Sequence, residues 1–232
     1  MTFGAAYIRG LTGFGMAIIL VPLFGLIVKP GDAVVIAILL QVLIGPVGLK
    51  VIYADAHRQS ALMIAAFAML ATPLGIWLLM HTSPDVARLI IAAIAIGAFV
   101  LVLLPQRGQL RPGPKETALT GIASGVLTGF AAMPGPPVVP FYLRQPIPPT
   151  EARASMMLVF FATAIAGTIS SFALGLANAR LLWLSLLLFP SVLAGNWLGA
   201  KSFGRVPPNV WRSFVAAVLG VAGLSAVLRL LN

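Results

Sequence analysis

Cysteine is absent from this chain, and only five of its 232 residues are aspartate or glutamate. Without cysteine, the chain has no disulfide framework, no thiolate metal site and no thiol nucleophile. Charged residues of both signs make up 9% of the sequence, whereas a typical soluble domain has about 25%. This shortage of charge excludes an ordinary soluble globular protein.

The few acidic and histidine residues stand in places that do not suit catalysis. No aspartate or glutamate lies in the middle of an apolar run, which argues against a buried-carboxylate proton pump and against an intramembrane aspartyl protease. His57 and His81 fall between apolar runs, so neither a metal pair nor a serine–histidine dyad is predicted. We therefore predict no enzyme activity, no bound metal and no cofactor.

Apolar sequence is what the chain has in abundance. Hydrophobic residues make up 60% of it, and the mean hydropathy is +1.05. The net charge of +10 comes from basic residues scattered between apolar runs, which is typical of cytoplasmic loops and not of a nucleic-acid surface. We predict a multi-pass helical protein of the cell inner (plasma) membrane that contacts the lipid bilayer and no nucleic acid.

Eight apolar segments can be marked out, each of about 20 residues or more and long enough for a hydrocarbon core of roughly 30 Å. They cover residues 3–28, 33–53, 60–80, 86–105, 117–143, 152–177, 181–200 and 209–231. Four connectors contain proline beside polar residues, which indicates a turn followed by a helix start. These connectors are residues 29–32, 83–85, 148–151 and 207–209.

The two halves of the chain resemble each other in order. The offsets between matching residues grow slowly from 116 to 124, as small insertions after a duplication would produce. The matches are Thr12, Gly13 and Phe14 with Thr128, Gly129 and Phe130; Val21 and Pro22 with Val139 and Pro140; Gly75 and Trp77 with Gly195 and Trp197; and Pro84, Val86 and Arg88 with Pro208, Val210 and Arg212. We predict an N-terminal repeat over 1–106, a cytoplasmic linker over 107–116 and a C-terminal repeat over 117–232, with four membrane segments in each repeat.

The basic residues favour first segments that do not cross the membrane. If all eight segments cross, the 15 basic residues divide eight to seven, and no orientation follows. If segments 3–28 and 117–143 each enter and return, the division is ten to five. The side with five then holds Arg9, Lys29, Arg88, Arg180 and Arg229. This bias predicts two inverted repeats with broken or re-entrant first segments and both termini outside.

Glycine and proline predict a break in these first segments. Gly121, Gly125 and Gly129 recur every four residues, so a helix carries them on one face and allows close packing. Residues 133–137, Met-Pro-Gly-Pro-Pro, cannot continue that helix because each proline removes a backbone donor. Unpaired backbone at membrane depth is tolerated inside protein or beside a watery cavity, which is where transporters place their substrate.

We predict an anion-binding site at the paired breaks, since helix starts offer free N–H groups and glycine lets the backbone approach a ligand. For these glycines the alternative is tight helix packing. Arg9 either balances the anion or extends its long side chain to the outer surface. Thr12 and Thr128 either donate to the anion or bond to their own helix backbone. The predicted site residues are Arg9, Thr12, Gly13, Phe14, Gly15, Gln41, Thr128, Gly129, Met133, Gly135 and Arg153.

The remaining polar residues inside the segments receive weaker assignments. Gln41 is the most polar residue of the second segment, where it either joins helices or contacts the substrate. Arg153 is predicted at the cytoplasmic mouth, and Ser124 is a lesser companion of the threonines. Asn178 and Asn196 lie nearer segment ends, so they are predicted to be interfacial.

Residues 9–15, Arg-Gly-Leu-Thr-Gly-Phe-Gly, and the Val-Pro-Leu at 21–23 resemble the opening of the TauE/SafE sulfite-exporter family of membrane permeases. The run 125–136, with Pro140 after it, is similar to the second glycine-rich signature of that family. The resemblance covers the chain as two halves of four segments each. It implies movement of small sulfur-containing anions such as sulfite and sulfonates.

We therefore predict an exporter or permease for small organosulfur or related anions such as sulfite, sulfonates or sulfoacetate, working by alternating access around the paired breaks. Two alternatives stay open: an anion channel on the same repeats, and a transporter of a non-sulfur carboxylate. A membrane scaffold is disfavoured, because a proline-rich break costs helix hydrogen bonds and has no scaffolding purpose. The predicted partner is a small anion, and the plan also allows a homodimer.

Overall fold

In the computed structural model, residues 1–103 and 112–203 are described, and their regular structure is entirely α-helical. The helices in these ranges are α1 (Thr2–Thr12), α2 (Met16–Gly25), α3 (Pro30–Ile44), α4 (Leu49–Asp55), α5 (Arg58–Met80), α6 (Pro84–Leu103), α7 (Pro114–Ala131), α8 (Gly135–Leu143), α9 (Pro149–Ala173) and α10 (Ala179–Lys201). The predicted all-α class is confirmed. The predicted segment 209–231 lies outside the described residues, as do residues 104–111.

The predicted helix starts are confirmed where the structure describes them. α3 and α9 carry proline at their first positions, where the missing N–H would have had no helical partner. Asp32, Asp85 and Glu151 lie in the first turns of α3, α6 and α9, where negative charge interacts favourably with the helix dipole. The connector at 207–209 lies outside the described residues.

Four of the described helices are long and apolar enough to cross a membrane: α5, α6, α9 and α10. α3 and α4 form a fifth candidate span together, although they are bent by 84° at a short break. The prediction of one continuous segment over 33–53 is therefore wrong. Pro46 and Gly48 explain the bend, because proline cannot donate a helix hydrogen bond and Gly48 has a left-handed φ of 76°.

Two close helix pairs join the halves: α7 packs along α5, and α1 packs along α10. At Gly121 an added Cβ would stand 2.7 Å from the Ile64 carbonyl oxygen, and at Gly125 it would collide with the backbone of Ala68. In the second pair, Gly199 faces the backbone of α1 in the same way. The predicted glycine face is thus a packing surface that lets two backbones touch.

The outward surfaces of the spanning helices are apolar. Leu70 on α5 and Trp183 and Leu187 on α10 are among the most exposed large side chains of the described residues. A lipid bilayer is the solvent that suits such a surface, because exposing this much apolar surface to water would be costly. The fold therefore defines a polytopic helical membrane protein.

The start of α7 and the end of α8 lie at the same end of the bundle. Residues 112–114, at the start of α7, and residues 145–147, after α8, line one cavity together with His57. The Tyr142 hydroxyl, near the end of α8, is 3.1 Å from Ser60 Oγ at the start of α5. The two helices thus reverse the chain direction within the bundle.

Candidate functional site

Both first segments are broken, as predicted. α1 and α2 are separated by residues 13–15, where Gly13 and Gly15 have φ angles of 87° and 92°. These left-handed angles suit glycine because it has no Cβ. α7 and α8 are separated by residues 132–134, where Ala132 has a φ of 58°.

The two breaks meet at a small cavity, which we name the inner cavity. Its lining is Arg9, Phe14, Gly15, Met16, Ala17, Ile18, Gln41, Met133, Pro134, Gly135 and Phe160. Six of the eleven predicted site residues are therefore brought together. The cavity has a volume of about 20 Å³, which is space for roughly one water molecule. An anion of several heavy atoms requires this space to widen.

Arg9 is the cation of the inner cavity. It is 5% exposed, and its Nη1 donates a 2.7 Å hydrogen bond to Asn196 Oδ1 on α10. The alternative in which Arg9 extends to the outer surface is wrong, because α10 holds the guanidinium inside. Asn196 is also 5% exposed, so its side chain faces the protein interior, while its predicted interfacial depth in the membrane stays a prediction. An amide within an apolar run was the available signal, and it is the same signal that singled out Gln41.

No carboxylate faces Arg9 in the part of the chain that the structure describes. The five acidic residues lie at helix ends, at Asp32, Asp55, Asp85, Glu116 and Glu151. Within residues 1–103 and 112–203, the one ion pair joins Arg88 Nη1 and Asp85 Oδ1 at 2.9 Å. The Asn196 amide satisfies a donor of Arg9 without cancelling its charge. The inner cavity therefore keeps a net positive charge.

Arg153 lies beside this centre and outside the lining of the inner cavity. Its Nη2 donates a 2.6 Å hydrogen bond to the Gly10 carbonyl oxygen, and its guanidinium lies 4.8 Å from the centre of the Phe203 ring. Its Nε is buried and has no hydrogen-bond partner among the described residues. Arg153 is close enough to add its charge to that of Arg9, so two arginines raise the positive potential here.

Both predicted threonine hydroxyls bond to backbone in this structure. Thr12 Oγ1 donates to the carbonyl oxygen of Ile8 at 2.8 Å or of Phe14 at 2.9 Å. Thr128 Oγ1 donates to the Ser124 carbonyl oxygen at 2.7 Å. The hydroxyl protons are therefore engaged in the arrangement given above as the alternative. Neither threonine lines the inner cavity.

Two polar side chains satisfy the backbone of the second break. Gln41 Nε2 donates to the Ala132 carbonyl oxygen at 3.1 Å, and Ser124 Oγ donates to the Pro134 carbonyl oxygen at 3.1 Å. Carbonyl groups without partners would be costly in this apolar interior. Gln41 thus joins α3 to the break, which is one of its two predicted roles, while it also lines the cavity.

Gly129 and Phe160 show where sequence reasoning and geometry differ. Gly129 packs against α5, where an added Cβ would collide with the Thr72 carbonyl oxygen, and it does not line the inner cavity. Phe160 on α9 does line the cavity and was missed. Nothing in the sequence distinguishes it from other apolar residues of its segment.

Alanine substitutions at the two predicted break glycines are expected to differ. Gly13→Ala should destabilise the protein by about 1–2 kcal/mol of left-handed strain, and its Cβ would stand 2.8 Å from Arg153 Cγ. Gly135→Ala has no such strain, because Gly135 is not among the positive-φ glycines and its Cβ would meet Val139 at 3.7 Å. Thermal unfolding of both variants in detergent measures the difference. Equal unfolding midpoints would contradict the described backbone at residue 13.

Several apolar helices around a cationic cavity at paired helix breaks define a polytopic membrane protein of the transporter class. The chain belongs to the family described as "Sulfite exporter TauE/SafE", which it matches over residues 1–226. A relative from Cupriavidus necator, named "Probable sulfite/organosulfonate exporter TauE", is 26% identical over 230 residues, covering 96% of this chain and 89% of the relative. No solved structure gives a significant match. The family consists of exporters, so the family resemblance and the prediction that the chain is not an enzyme are confirmed.

Proposed function

We propose that this protein exports small organosulfur anions, such as sulfite, sulfonates or sulfoacetate, by alternating access around the inner cavity. The observation that carries this proposal is the buried guanidinium of Arg9, which lines the cavity and has no carboxylate partner among the described residues. A buried charge without a counter-charge is costly. A bound anion supplies the missing negative charge and is held in return.

The broken helices add directional donors to this charge. α2 starts at Met16 and α8 starts at Gly135, and both residues line the inner cavity. The first N–H groups of a helix have no helical partner and attract anions. The start of α2 supplies several such groups, whereas the start of α8 supplies the N–H of Gly135 alone, because Pro136 and Pro137 have none. The name of the Cupriavidus necator relative, a probable exporter of sulfite and organosulfonate, supports the sulfur-containing class of anion.

The size of the inner cavity supports a carrier more than an open channel. A space of about 20 Å³ holds roughly one water molecule, so the pathway is closed at the site in this conformation. Alternating access opens such a site to one side of the membrane at a time. The hydrogen bonds of Arg9 and Gln41 are the polar contacts that have to change during opening.

The proposed topology is two inverted repeats, over residues 1–106 and 117–232, in the cell inner membrane. Two observations support it. α1 packs on the third segment of the other half, and α7 packs on the third segment of the first half, as a two-fold exchange requires. The ends of α7 and α8 line a common cavity, and Arg88 near the start of α6 donates to the Gly25 carbonyl oxygen at the end of α2. The linker 107–116 is then cytoplasmic and both termini are outside.

Reporter fusions test this topology. A fusion after Gly113 and one after Ile147 should report the cytoplasm, because α7 and α8 return to the side from which they start. A fusion after Leu176, between α9 and α10, and one after Asn232 should report the outside. A cytoplasmic reporter after Asn232 would contradict the inverted arrangement and would leave the export proposal standing.

Flux measurements in proteoliposomes test the function. The purified protein should release sulfite and sulfoacetate with saturation, and anion on the opposite side should accelerate release by exchange. Taurine, which carries no net charge, and simple carboxylates serve as comparison substrates. Flux that does not saturate and that carries current without exchange would indicate a channel, and faster release of carboxylates would indicate a different substrate class. No flux of any of these anions would contradict the proposal.

A further inference from the structure

A second and much larger cavity lies between α4, α9 and α10, and we name it the side groove. Its volume is about 620 Å³, against about 20 Å³ for the inner cavity. Val51 and Trp197 line it and are 64% and 56% exposed, so the groove is open to the surroundings of the protein. The groove is wide enough for a sulfonate, whereas the inner cavity in this conformation is not.

The lining of the side groove is mostly apolar and includes two polar residues. Arg153 and Asn196 are lining residues, and the Arg153 Nε is buried without a partner among the described residues. Near the rim, Lys201 Nζ lies 3.7 Å from the centre of the Trp197 ring. The groove therefore offers the positive charge of Arg153 in an otherwise apolar setting.

Asn196 connects the side groove to the inner cavity. It lines the groove and accepts the hydrogen bond from Arg9, which lines the inner cavity. A lining residue of one space is thus hydrogen-bonded to a lining residue of the other, through a 2.7 Å contact between α1 and α10. Breaking that contact frees a donor of Arg9 toward an anion that arrives from the groove.

We propose that the side groove is the path by which the anion reaches the inner cavity, with Arg153 as its first binding residue and the Arg9–Asn196 hydrogen bond as the closure between the two spaces. This inference rests on the proposed function and names its route. Arg153 attracts the anion, and the anion then competes with Asn196 for the Arg9 guanidinium. Asn196 is a positioning residue in this account, because it acts through Arg9.

Single cysteines test whether the groove contains water and anion, and the cysteine-free chain makes such labelling clean. Ala194→Cys places a thiol in the groove lining, and Leu187→Cys places one on the same helix at a site that is 77% exposed and outside that lining. In proteoliposomes, N-ethylmaleimide should label Ala194→Cys at least tenfold faster than Leu187→Cys, because thiolate forms in water and not in lipid. Sulfoacetate, which does not consume the reagent, should slow the labelling of Ala194→Cys severalfold. Equal and slow labelling of both variants would show a lipid-filled groove and overturn the inference.

The effect of labelling on transport separates this inference from the proposed function. After removal of the reagent, labelled Ala194→Cys should release sulfite at least fivefold more slowly than unlabelled protein, while labelled Leu187→Cys should keep its rate. If labelled Ala194→Cys transports normally while Arg9→Gln does not, the route is wrong and the export proposal stands. If unlabelled protein moves no anion, the export proposal fails, and the labelling rates still decide whether the groove is watery.

A substitution at the closure gives an independent readout. Asn196→Asp keeps the size of the side chain and places a carboxylate on Arg9, which then competes with the substrate. The KM for sulfite should rise at least tenfold, while the thermal midpoint should stay at or above that of the parent. Arg153→Gln should raise KM severalfold with little change in kcat, because it affects arrival of the anion. An unchanged KM in both variants would overturn the inference.

Discussion

Replacing Arg9 by glutamine is expected to lower sulfite transport per folded protein at least tenfold. Arg9 is the cation of the inner cavity, and its charge has no acidic partner among the described residues. Hydrogen bonds to charged groups contribute about 1.5–3 kcal/mol, which corresponds to roughly a tenfold to hundredfold change in affinity. Initial efflux rates from proteoliposomes, taken over a range of sulfite concentrations, measure the effect.

The thermal midpoint of Arg9→Gln should not fall, because the substitution removes a buried charge that has no carboxylate partner among the described residues. This distinguishes a transport defect from a folding defect. Arg9→Lys should keep part of the activity, since lysine keeps the charge and loses the planar set of donors. Arg88→Gln is the matched control, because Arg88 is paired with Asp85 away from the cavity. Transport by Arg9→Gln at the rate of the parent would remove Arg9 from the site.

Gly125→Ala is expected to lower the stability of the protein strongly, because Gly125 is one of the glycines at which the α5–α7 seam has no room for a methyl group. Its Cβ would collide with the carbonyl group of Ala68, which is backbone and cannot rotate away. Overpacking of this kind costs about 1–3 kcal/mol, so the unfolding midpoint in detergent should fall by several degrees. Gly125→Leu should prevent the two helices from docking, and little folded protein should be recovered.

Gly97→Ala is the matched control for this prediction. Gly97 is a helical glycine of α6, and no atom lies within 4 Å of the place where its Cβ would be. Alanine there should leave the midpoint unchanged or raise it slightly, since it reduces the backbone entropy of the unfolded chain. If Gly125→Ala and Gly97→Ala unfold at the same temperature, the close α5–α7 packing is contradicted.

The class of protein and the positions of its breaks could be predicted from the sequence because both depend on local properties. A run of about 20 apolar residues has to pair its backbone groups internally in lipid, and a helix does so. Glycine allows left-handed φ angles at residues 13 and 15, and the prolines within 133–137 have no backbone N–H group. Both effects interrupt a helix at the residue itself and do not depend on distant contacts. The bend at Pro46 carried the same local signal and was overlooked.

The site itself was decided only by tertiary structure. Arg9 and Asn196 lie 187 positions apart, and only the packing of α1 on α10 makes them partners. In the same way, the packing of α7 on α5 turned Gly129 toward α5, and the position of α9 brought Phe160 to the cavity, although neither outcome follows from residue type. Helices in lipid present similar apolar surfaces to one another, and glycine contacts at the backbone choose which faces meet. The sequence alone therefore determined the helices and their breaks, and the contact between helices determined which polar groups face one another.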